Sequence, residues 1–179
     1  ADKRQVLGNL TQVVTSQGFH DIAPDARKQL LDTFGAHATD AGFTNRLTRL
    51  VNDPGFINLN DQNKEIDLLK AYGSDNRFAA GLDNAMTTNP AYAALNGSQR
   101  AQVLTDLTKL TKTDSYQDAP DARKQDLVEI VADVADFSAA NPGNKITRNT
   151  LDQVVDGKIK LQLYDKAPAG GFQEYGYSD

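Results

Sequence analysis

One six-residue string, Pro-Asp-Ala-Arg-Lys-Gln, occurs twice in the chain, at Pro24–Gln29 and at Pro120–Gln125. The likeness extends towards the N terminus, because the apolar pattern of Gln5–Thr11 is matched by that of Gln102–Thr108, with one residue lost before the second copy of the string. A duplicated unit constrains how a core is built. It does not by itself indicate a biochemical activity.

Two weaker copies lie between these, and every copy starts on an aromatic anchor. The anchors are Phe19, Phe56, Tyr92 and Tyr116. A basic residue follows each anchor: Arg27, Lys64, Arg100 and Arg123. An apolar pair comes next: Leu30/Leu31, Leu68/Leu69, Val103/Leu104 and Leu127/Val128. The first three anchors lie about 37 residues apart, a period typical of helical repeats. The pattern predicts imperfect repeats of an aromatic anchor, a turn and an amphipathic helix.

Helical periodicity of apolar residues recurs along most of the chain. It predicts helices at about 4–15, 24–38, 43–52, 61–72, 77–87, 97–111 and 120–138. In the first, Val6, Leu7, Leu10, Val13 and Val14 share one helical face; in the second, Leu30, Leu31, Phe34 and Ala38 are expected to face inward. Pro24 suits a first-turn position, and Asn60 is the expected N-cap of the fourth helix. The predicted fold is all-α, a compact bundle or short solenoid of about seven helices with an extended C-terminal segment.

The C-terminal part has a different texture after residue 143. A short helix is expected at 147–155, and Ile159, Leu161 and Leu163 alternate as a short strand would, or as an extended segment packed on the helices. We therefore divide the chain into a helical repeat domain at 1–164 and a Gly/Pro-rich tail at 165–179. The tail carries Phe172, Tyr175 and Tyr177, which are expected to dock on the helical body or on a partner; a mobile tail is the alternative.

Composition narrows the classes of function. The net charge is -5 and the sequence pI about 5.0, so no basic face suggests nucleic acid as the main partner, whereas a basic protein partner stays open. No apolar run is long enough to span a membrane. The chain has no cysteine and hence no disulfide, thiolate nucleophile or Cys-based metal site. It begins at Ala1, which suggests a mature form or a fragment.

Candidate catalytic residues are few. His20 and His37 are the two histidines, too few for a His-rich metal site, and both are expected at the surface or at helix ends. Glu65 and Glu129 could supply the carboxylate pair that glycoside cleavage needs, although solvated positions explain both. The loop 141–147 resembles a calcium hand, but Ala139 and Thr150 would fall at its liganding ends, so it is interpreted as a structural turn. No metal or cofactor is predicted.

The repeated basic residues allow two interpretations. They could form a ladder that binds an acidic ligand, in which case Arg27 and Arg123 are candidate binding residues. They could instead cover the anchor aromatic with their aliphatic stems or pair with nearby Asp. Asp25 and Asp121 lie in the same first turns, where a carboxylate interacts favourably with the helix dipole.

The pattern aromatic-x2-Leu-x4-Arg-x2-Leu-Leu, seen with variation at Phe19–Leu31 and Tyr92–Leu104, resembles the short helical repeats of large secreted bacterial proteins, including polymorphic toxins and type III secretion effectors and translocators. Residues Lys145–Leu151 resemble the degenerate calcium-hand segments of such proteins. The resemblance covers residues 4–155. It implies a secreted or translocated bacterial protein associated with virulence, in which this part is a helical binding or delivery scaffold, and it transfers no catalytic residue.

Two main hypotheses follow. The first is a non-enzymatic protein-interaction domain of a secreted effector, which binds its partner through a groove between repeats or through the tail at Phe172–Tyr177. The alternative is a carboxylate-dependent hydrolase acting on a carbohydrate or cell-wall substrate, which requires a cleft with two inward carboxylates. Calcium-linked regulation is a third possibility. The sequence does not identify the partner or the oligomeric state.

Overall fold

The structure is a computed structural model that describes residues 2–112, 114–129, 160–162 and 176–178. Its helices are α1 (Asp2–Val14), α2 (Gln17–Asp21), α3 (Pro24–Gly35), α4 (Ala41–Asn52), α5 (Pro54–Ile57), α6 (Gln62–Ser74), α7 (Asn76–Thr88), α8 (Pro90–Ala94), α9 (Gly97–Leu110) and α10 (Asp114–Gln117). Residues 121–129 are also helical and are called α11. The body is therefore all-α, as the sequence predicts.

Four of these helices are only four or five residues long, and they account for the difference from the seven predicted. Each carries one aromatic anchor: α2, α5, α8 and α10 contain Phe19, Phe56, Tyr92 and Tyr116. The sequence suggested turns at these places. At α5 a helix forms because Pro54 occupies the first turn and the Asp53 carboxylate accepts a hydrogen bond from the Gly55 backbone N–H at 2.8 Å.

Aspartate side chains cap three of the longer helices. The side chains of Asp40, Asp61 and Asp75 accept from backbone N–H groups in the first turns of α4, α6 and α7, which satisfies donors that have no partner within the helix. The expectation that Asn60 caps α6 is wrong, because Asp61 does so and Asn60 adopts a left-handed conformation with φ of 48°. Asparagine tolerates that conformation better than most residues.

The anchors belong to one continuous core. Phe56, Tyr92 and Tyr116 are at most 1% exposed, whereas Phe19 is partly buried and packs against the core from its edge. The core also holds the apolar pairs of the second, third and fourth units. In the first unit the pair is split: Leu30 is buried, but Leu31 is 37% exposed, so the expectation that Leu31 faces inward is wrong.

Successive units lie side by side. Helix α4 packs between α1 and α7, and α6 packs between α3 and α9. Hydrogen bonds join residues about one repeat apart, such as Arg49 to Asp83 (34 positions) and Thr33 to the Leu69 carbonyl (36 positions). These separations are close to the spacing of the anchors. Whether the assembly is a closed bundle or an open solenoid stays a prediction.

A small ribbon lies outside the helical body in sequence. Strands β1 (Lys160–Gln162) and β2 (Gly176–Ser178) pair antiparallel, with Leu161 opposite Tyr177. The strand predicted around residues 159–163 therefore finds its partner in the tail. The predicted helix at 147–155, the calcium-hand-like loop and the end of the helix predicted at 120–138 lie outside the described residues. Among the described helices, none is long and apolar enough to cross a membrane.

Gly18 lies where α2 crosses the end of α4. A Cβ at this position would overlap the Val51 backbone carbonyl, while the Gly18 N–H donates to the Asn52 side-chain oxygen at 3.1 Å. The close approach of two backbones leaves room for glycine alone.

We expect Gly18→Ala to lower the free energy of unfolding by about 1–3 kcal/mol, because the added methyl group forces α2 away from α4. Gly8→Ala is the matched control, since a Cβ at Gly8 meets no atom within 4 Å. Alanine there should raise stability by about 0.5–1 kcal/mol through helix propensity. Urea unfolding followed by circular dichroism measures both changes, and equal effects of the two substitutions would contradict the packing argument.

Candidate functional site

In three of the four units a cation lies over the anchor ring; none is shown over Phe56, and Lys64 is exposed. Arg100 lies over the Tyr92 ring with its Cζ 4.9 Å from the ring centre, and it also donates to the backbone carbonyls of Ala93 and Leu95 at 2.8 and 3.1 Å. These bonds satisfy carbonyls at the end of α8 that have no partner within so short a helix. The cation therefore fastens the anchor helix to the helix that follows it.

Arg27 makes the same arrangement in the first unit. Its Cζ lies 5.9 Å from the centre of the Phe19 ring, and its guanidinium donates to the Phe19 and His20 carbonyls at 3.0 and 2.9 Å. The contacts place Arg27 in the structural role that the sequence allowed as its second interpretation. A role for Arg27 in ligand binding stays a prediction.

In the fourth unit Lys124, and not Arg123, lies over the anchor, with its Nζ 5.6 Å from the centre of the Tyr116 ring. Arg123 is exposed, and its binding role also stays a prediction. In the first, third and fourth units, the cation over the ring follows its anchor by eight residues. Because one residue is missing before Pro120, this position in the fourth unit is Lys124 and not the arginine. Counting from the anchor would have identified Lys124 from the sequence.

The Asp53 carboxylate accepts hydrogen bonds from three donors, two of which belong to the next unit. Besides capping α5, its carboxylate accepts from the Tyr92 hydroxyl at 2.7 Å and from Arg100 Nη1 at 3.2 Å. The side chains of Asp53 and Arg100 are 10% and 16% exposed, so this ion pair is largely shielded from water. The bonds from Tyr92 and Arg100 hold α5 against α8 and α9, whereas the cap bond lies within α5.

Asp75 repeats this arrangement one unit later. It caps α7 by accepting from the Arg77 and Phe78 backbone N–H groups, and its other oxygen accepts from the Tyr116 hydroxyl at 2.7 Å. Burial of the phenol, together with the hydrogen bond to Asp75, raises the pKa of Tyr116 above its ordinary value of 10. The tyrosine is therefore neutral and available as a donor at physiological pH.

An open groove runs between α4 and α7, the helices that precede the anchor helices α5 and α8. It has a volume of about 350 Å³ and is lined by Thr48, Arg49, Asn52, Asp53, Pro54, Met86 and Thr87. Beside it, Arg49 forms a two-point contact with Asp83 at 2.8 and 2.9 Å. The hydrogen bond from this contact raises the pKa of Arg49. This groove between repeats is the candidate binding site, and its lining combines exposed hydroxyl and amide groups with the apolar side chains of Pro54 and Met86.

The tail residues are only partly described. Tyr177 lies in β2, where its backbone is in register with Leu161. Phe172 and Tyr175 lie outside the described residues. The prediction that these three aromatics bind the helical body or a partner stays a prediction.

The histidines occupy ordinary structural positions. His20 is exposed near the end of α2, whereas His37 is half-buried, stacks on Phe43 with ring centres 4.0 Å apart and hydrogen-bonds to the Gly73 carbonyl at 2.8 Å. Among the described residues no group of three His, Asp or Glu side chains could hold a metal ion.

Glu65 is the feature that sequence reasoning missed. It was expected to be solvated, but it is 6% exposed, and within the described residues its Oε2 has no hydrogen-bond partner. Burial, followed by the nearby negative charge of Asp61, raises the pKa of Glu65 above its ordinary value of 4.5. A charged residue at the start of a helix gives no sequence signal for burial, because only packing against neighbouring units removes it from water.

The buried carboxyl is not placed for catalysis on a ligand in the groove. Neither Glu65 nor Asp61 lines the groove, and Asp61 already caps α6. The only carboxylate lining the groove described here is Asp53, which is held by Tyr92, Arg100 and its cap contact. The hydrolase alternative requires two inward carboxylates in a cleft, and the described residues do not bring such a pair together in this groove.

Comparison of the chain with family models, curated proteins and solved structures found no match. The functional argument therefore depends on the geometry of the groove and of the exposed faces.

We expect Glu65→Gln to stabilise the protein at pH 7 by about 1 kcal/mol, because the amide is buried without the cost of an unpaired charge. A carboxyl whose pKa is raised by folding contributes stability below its unfolded pKa, and that contribution is lost as pH rises through the folded pKa. The difference between variant and wild type should thus be small below about pH 4 and grow above it. Urea unfolding at a series of pH values measures the difference; one that is independent of pH would contradict the assignment.

Tyr72 and Tyr92 allow the removal of an unpaired hydroxyl to be compared with the removal of a hydrogen-bonded one. Tyr72 is fully buried, and its hydroxyl has no partner among the described residues. Tyr72→Phe should therefore leave stability unchanged or raise it. Tyr92→Phe removes the bond to Asp53 and should lower the free energy of unfolding by about 1–3 kcal/mol. Chemical denaturation compares the two, and a larger loss for Tyr72→Phe would contradict this interpretation.

Proposed function

We propose that this chain is a non-enzymatic protein-interaction or delivery domain of a secreted bacterial effector, and that it binds a protein partner in the groove between α4 and α7. The observation that carries the proposal is the position of this groove, which lies between α4 and α7, the helices that precede two successive anchor helices. Proteins built from stacked helical units use the extended surfaces between units to bind partners. Secretion, a bacterial origin and a role in virulence rest on the resemblance of the repeats alone.

The chemistry of the groove suits a peptide segment. Thr87 is exposed, and Thr48 is partly exposed. Met86 provides a flexible apolar surface that adapts to different side chains. The volume of the groove, about 350 Å³, is at the lower end of the range for ligand pockets. We infer a segment of a few residues as the occupant.

The polar side chains around the anchors are held in structural hydrogen bonds, which supports a binding function over a catalytic one. Asp53 and Asp75 are each held by several donors, and Arg27 and Arg100 are fastened to backbone carbonyls. Groups committed to helix caps and anchor contacts make poor acids, bases or nucleophiles. The two-point contact between Arg49 and Asp83 joins the two walls of the groove, α4 and α7, and a wall held in place lowers the entropic cost of binding.

Filling the groove should abolish capture of the partner. We expect Thr87→Trp to reduce the partner recovered by the tagged full chain from bacterial or host extracts by tenfold or more, because the indole occupies the groove. Thr88→Trp is the matched control, since Thr88 is the next residue, is also exposed and bonds to the carbonyl four positions back as Thr87 does, yet does not line the groove. Mass spectrometry quantifies the recovered protein.

Variants of the tail test, in the same experiment, whether the partner binds the tail and not the groove. If the partner binds the tail, replacing Phe172, Tyr175 and Tyr177 by Ala should remove it while Thr87→Trp does not. Equal recovery with all three variants, or equal loss with Thr87→Trp and Thr88→Trp, would contradict the groove as the binding site.

A further inference from the structure

The α4 wall of the groove between α4 and α7 presents hydrogen-bond donors. Arg49 uses one edge of its guanidinium group within the protein, because Nε and Nη2 donate to the Asp83 carboxylate at 2.8 and 2.9 Å. The two N–H groups of Nη1 have no acceptor in the described part of the chain. The Arg49 side chain is 47% exposed and lines the groove, so these donors are available to a ligand.

Asn52 adds a second donor one turn further along α4. Its side-chain oxygen accepts from the Gly18 backbone N–H at 3.1 Å, and this bond fixes the orientation of the amide, because the amide nitrogen cannot accept. The nitrogen Nδ2 has no acceptor among the residues that the structure describes. Asn52 is exposed and lines the groove. Residues three positions apart are neighbours on the surface of a helix, so Arg49 and Asn52 place their donors side by side.

The hydroxyl groups of the groove have already used their protons. Thr48 Oγ1 donates to the Thr44 carbonyl and Thr87 Oγ1 donates to the Asp83 carbonyl, both at 2.8 Å. Each hydroxyl oxygen can therefore only accept a further hydrogen bond. Among the side chains that line the groove, the remaining donors are those of Arg49 and Asn52.

The carboxylates near these donors do not compete with a ligand for them. Asp53, which lines the groove, is only 10% exposed, and its oxygens already accept from three donors. Asp53 and Asp83 are each paired with an arginine, so neither leaves an unbalanced negative charge that would repel an anion. The α4 wall is therefore suited to an acceptor group that the ligand supplies.

We propose that the groove recognises a carboxylate of the partner segment, which accepts from Arg49 Nη1 and Asn52 Nδ2. A hydrogen bond between a charged donor and a charged acceptor is stronger than a neutral one, and a carboxylate offers one oxygen to each donor. Backbone N–H groups beside the carboxylate donate to the hydroxyl oxygens of Thr48 and Thr87. The inference rests on the proposed function, because it names the chemical group that the groove binds. The carboxylate belongs to an Asp or Glu side chain or to the C terminus of the partner.

Three short peptides that differ in one group test this recognition and distinguish the two sources. Acetyl-Ala-Glu-Ala-amide carries a side-chain carboxylate, acetyl-Ala-Gln-Ala with a free C terminus carries a terminal one, and acetyl-Ala-Gln-Ala-amide carries neither. In NMR titrations of the full chain, at least one charged peptide should shift the side-chain N–H signals of Arg49 and Asn52. The neutral peptide should bind at least tenfold more weakly. The charged peptide that binds more tightly identifies the source. Equal binding of all three peptides, or no shift with any of them, would overturn the inference.

A pair of matched substitutions tests the contact itself. Asn52→Asp removes the Nδ2 donor and keeps an oxygen that accepts from Gly18, so it should weaken binding of the charged peptide by tenfold or more. Asn45→Asp is the control, since Asn45 is exposed on the same helix, its side-chain oxygen accepts from Gln12 at 2.9 Å, and it does not line the groove. The control should bind as wild type does. Circular dichroism confirms that each variant is folded, and equal loss in the two variants would contradict recognition by Asn52.

Recovery of the protein partner by the tagged full chain separates this inference from the proposed function. If the groove binds the partner through a carboxylate, Thr87→Trp and Asn52→Asp should both reduce recovery, whereas Asn45→Asp should not. If Thr87→Trp reduces recovery and Asn52→Asp does not, the groove is the binding site but carboxylate recognition is wrong. If Thr87→Trp has no effect, the groove is not the binding site and both proposals fail.

Discussion

Burial of the aromatic anchors is the constraint on which the rest of the fold depends. A short helix of four or five residues leaves most of its backbone groups without partners, so it persists only where side chains satisfy them. Around Tyr92 this is done by Arg100, which closes the carbonyl end, and by Asp53, which accepts the phenol. The anchor and the cation belong to the same unit, whereas the aspartate precedes the anchor of the unit before it, and so one unit is not complete without its neighbour.

The distance from anchor to cation explains how an imperfect duplication still folds. The Pro-Asp-Ala-Arg-Lys-Gln string is identical in both copies, yet Arg27 covers Phe19 in the first while Lys124 covers Tyr116 in the last. What is retained is the eight-residue path through the short helix, the turn and the first turn of the next helix. Lysine can replace arginine at this position because its long aliphatic stem also lies over a ring. Its ammonium group cannot form the paired, planar hydrogen bonds of a guanidinium.

The structural use of the polar side chains also limits where a functional site can lie. Caps and anchor contacts occupy Asp53, Asp75, Arg27 and Arg100, and the buried carboxyl of Glu65 lies away from the groove. We therefore place the proposed binding site on a surface that packing leaves open. The groove between α4 and α7 is such a surface, and its lining combines hydroxyl and amide groups with the apolar side chains of Pro54 and Met86.

Periodic apolar residues were enough to predict the all-α fold and the long helices up to residue 111. Each helix must bury one row of apolar side chains, and the residues of that row recur at helical spacing in the sequence. Pro24 marked the start of α3 for an equally local reason. The sequence could not show that Glu65 is buried, that Leu7 is exposed, or that β1 pairs with β2. Whether a side chain meets water depends on which other unit lies against it, and that is decided by contacts between residues distant in the chain. Local pattern thus determined the elements, and only the tertiary structure determined which of their faces remain free.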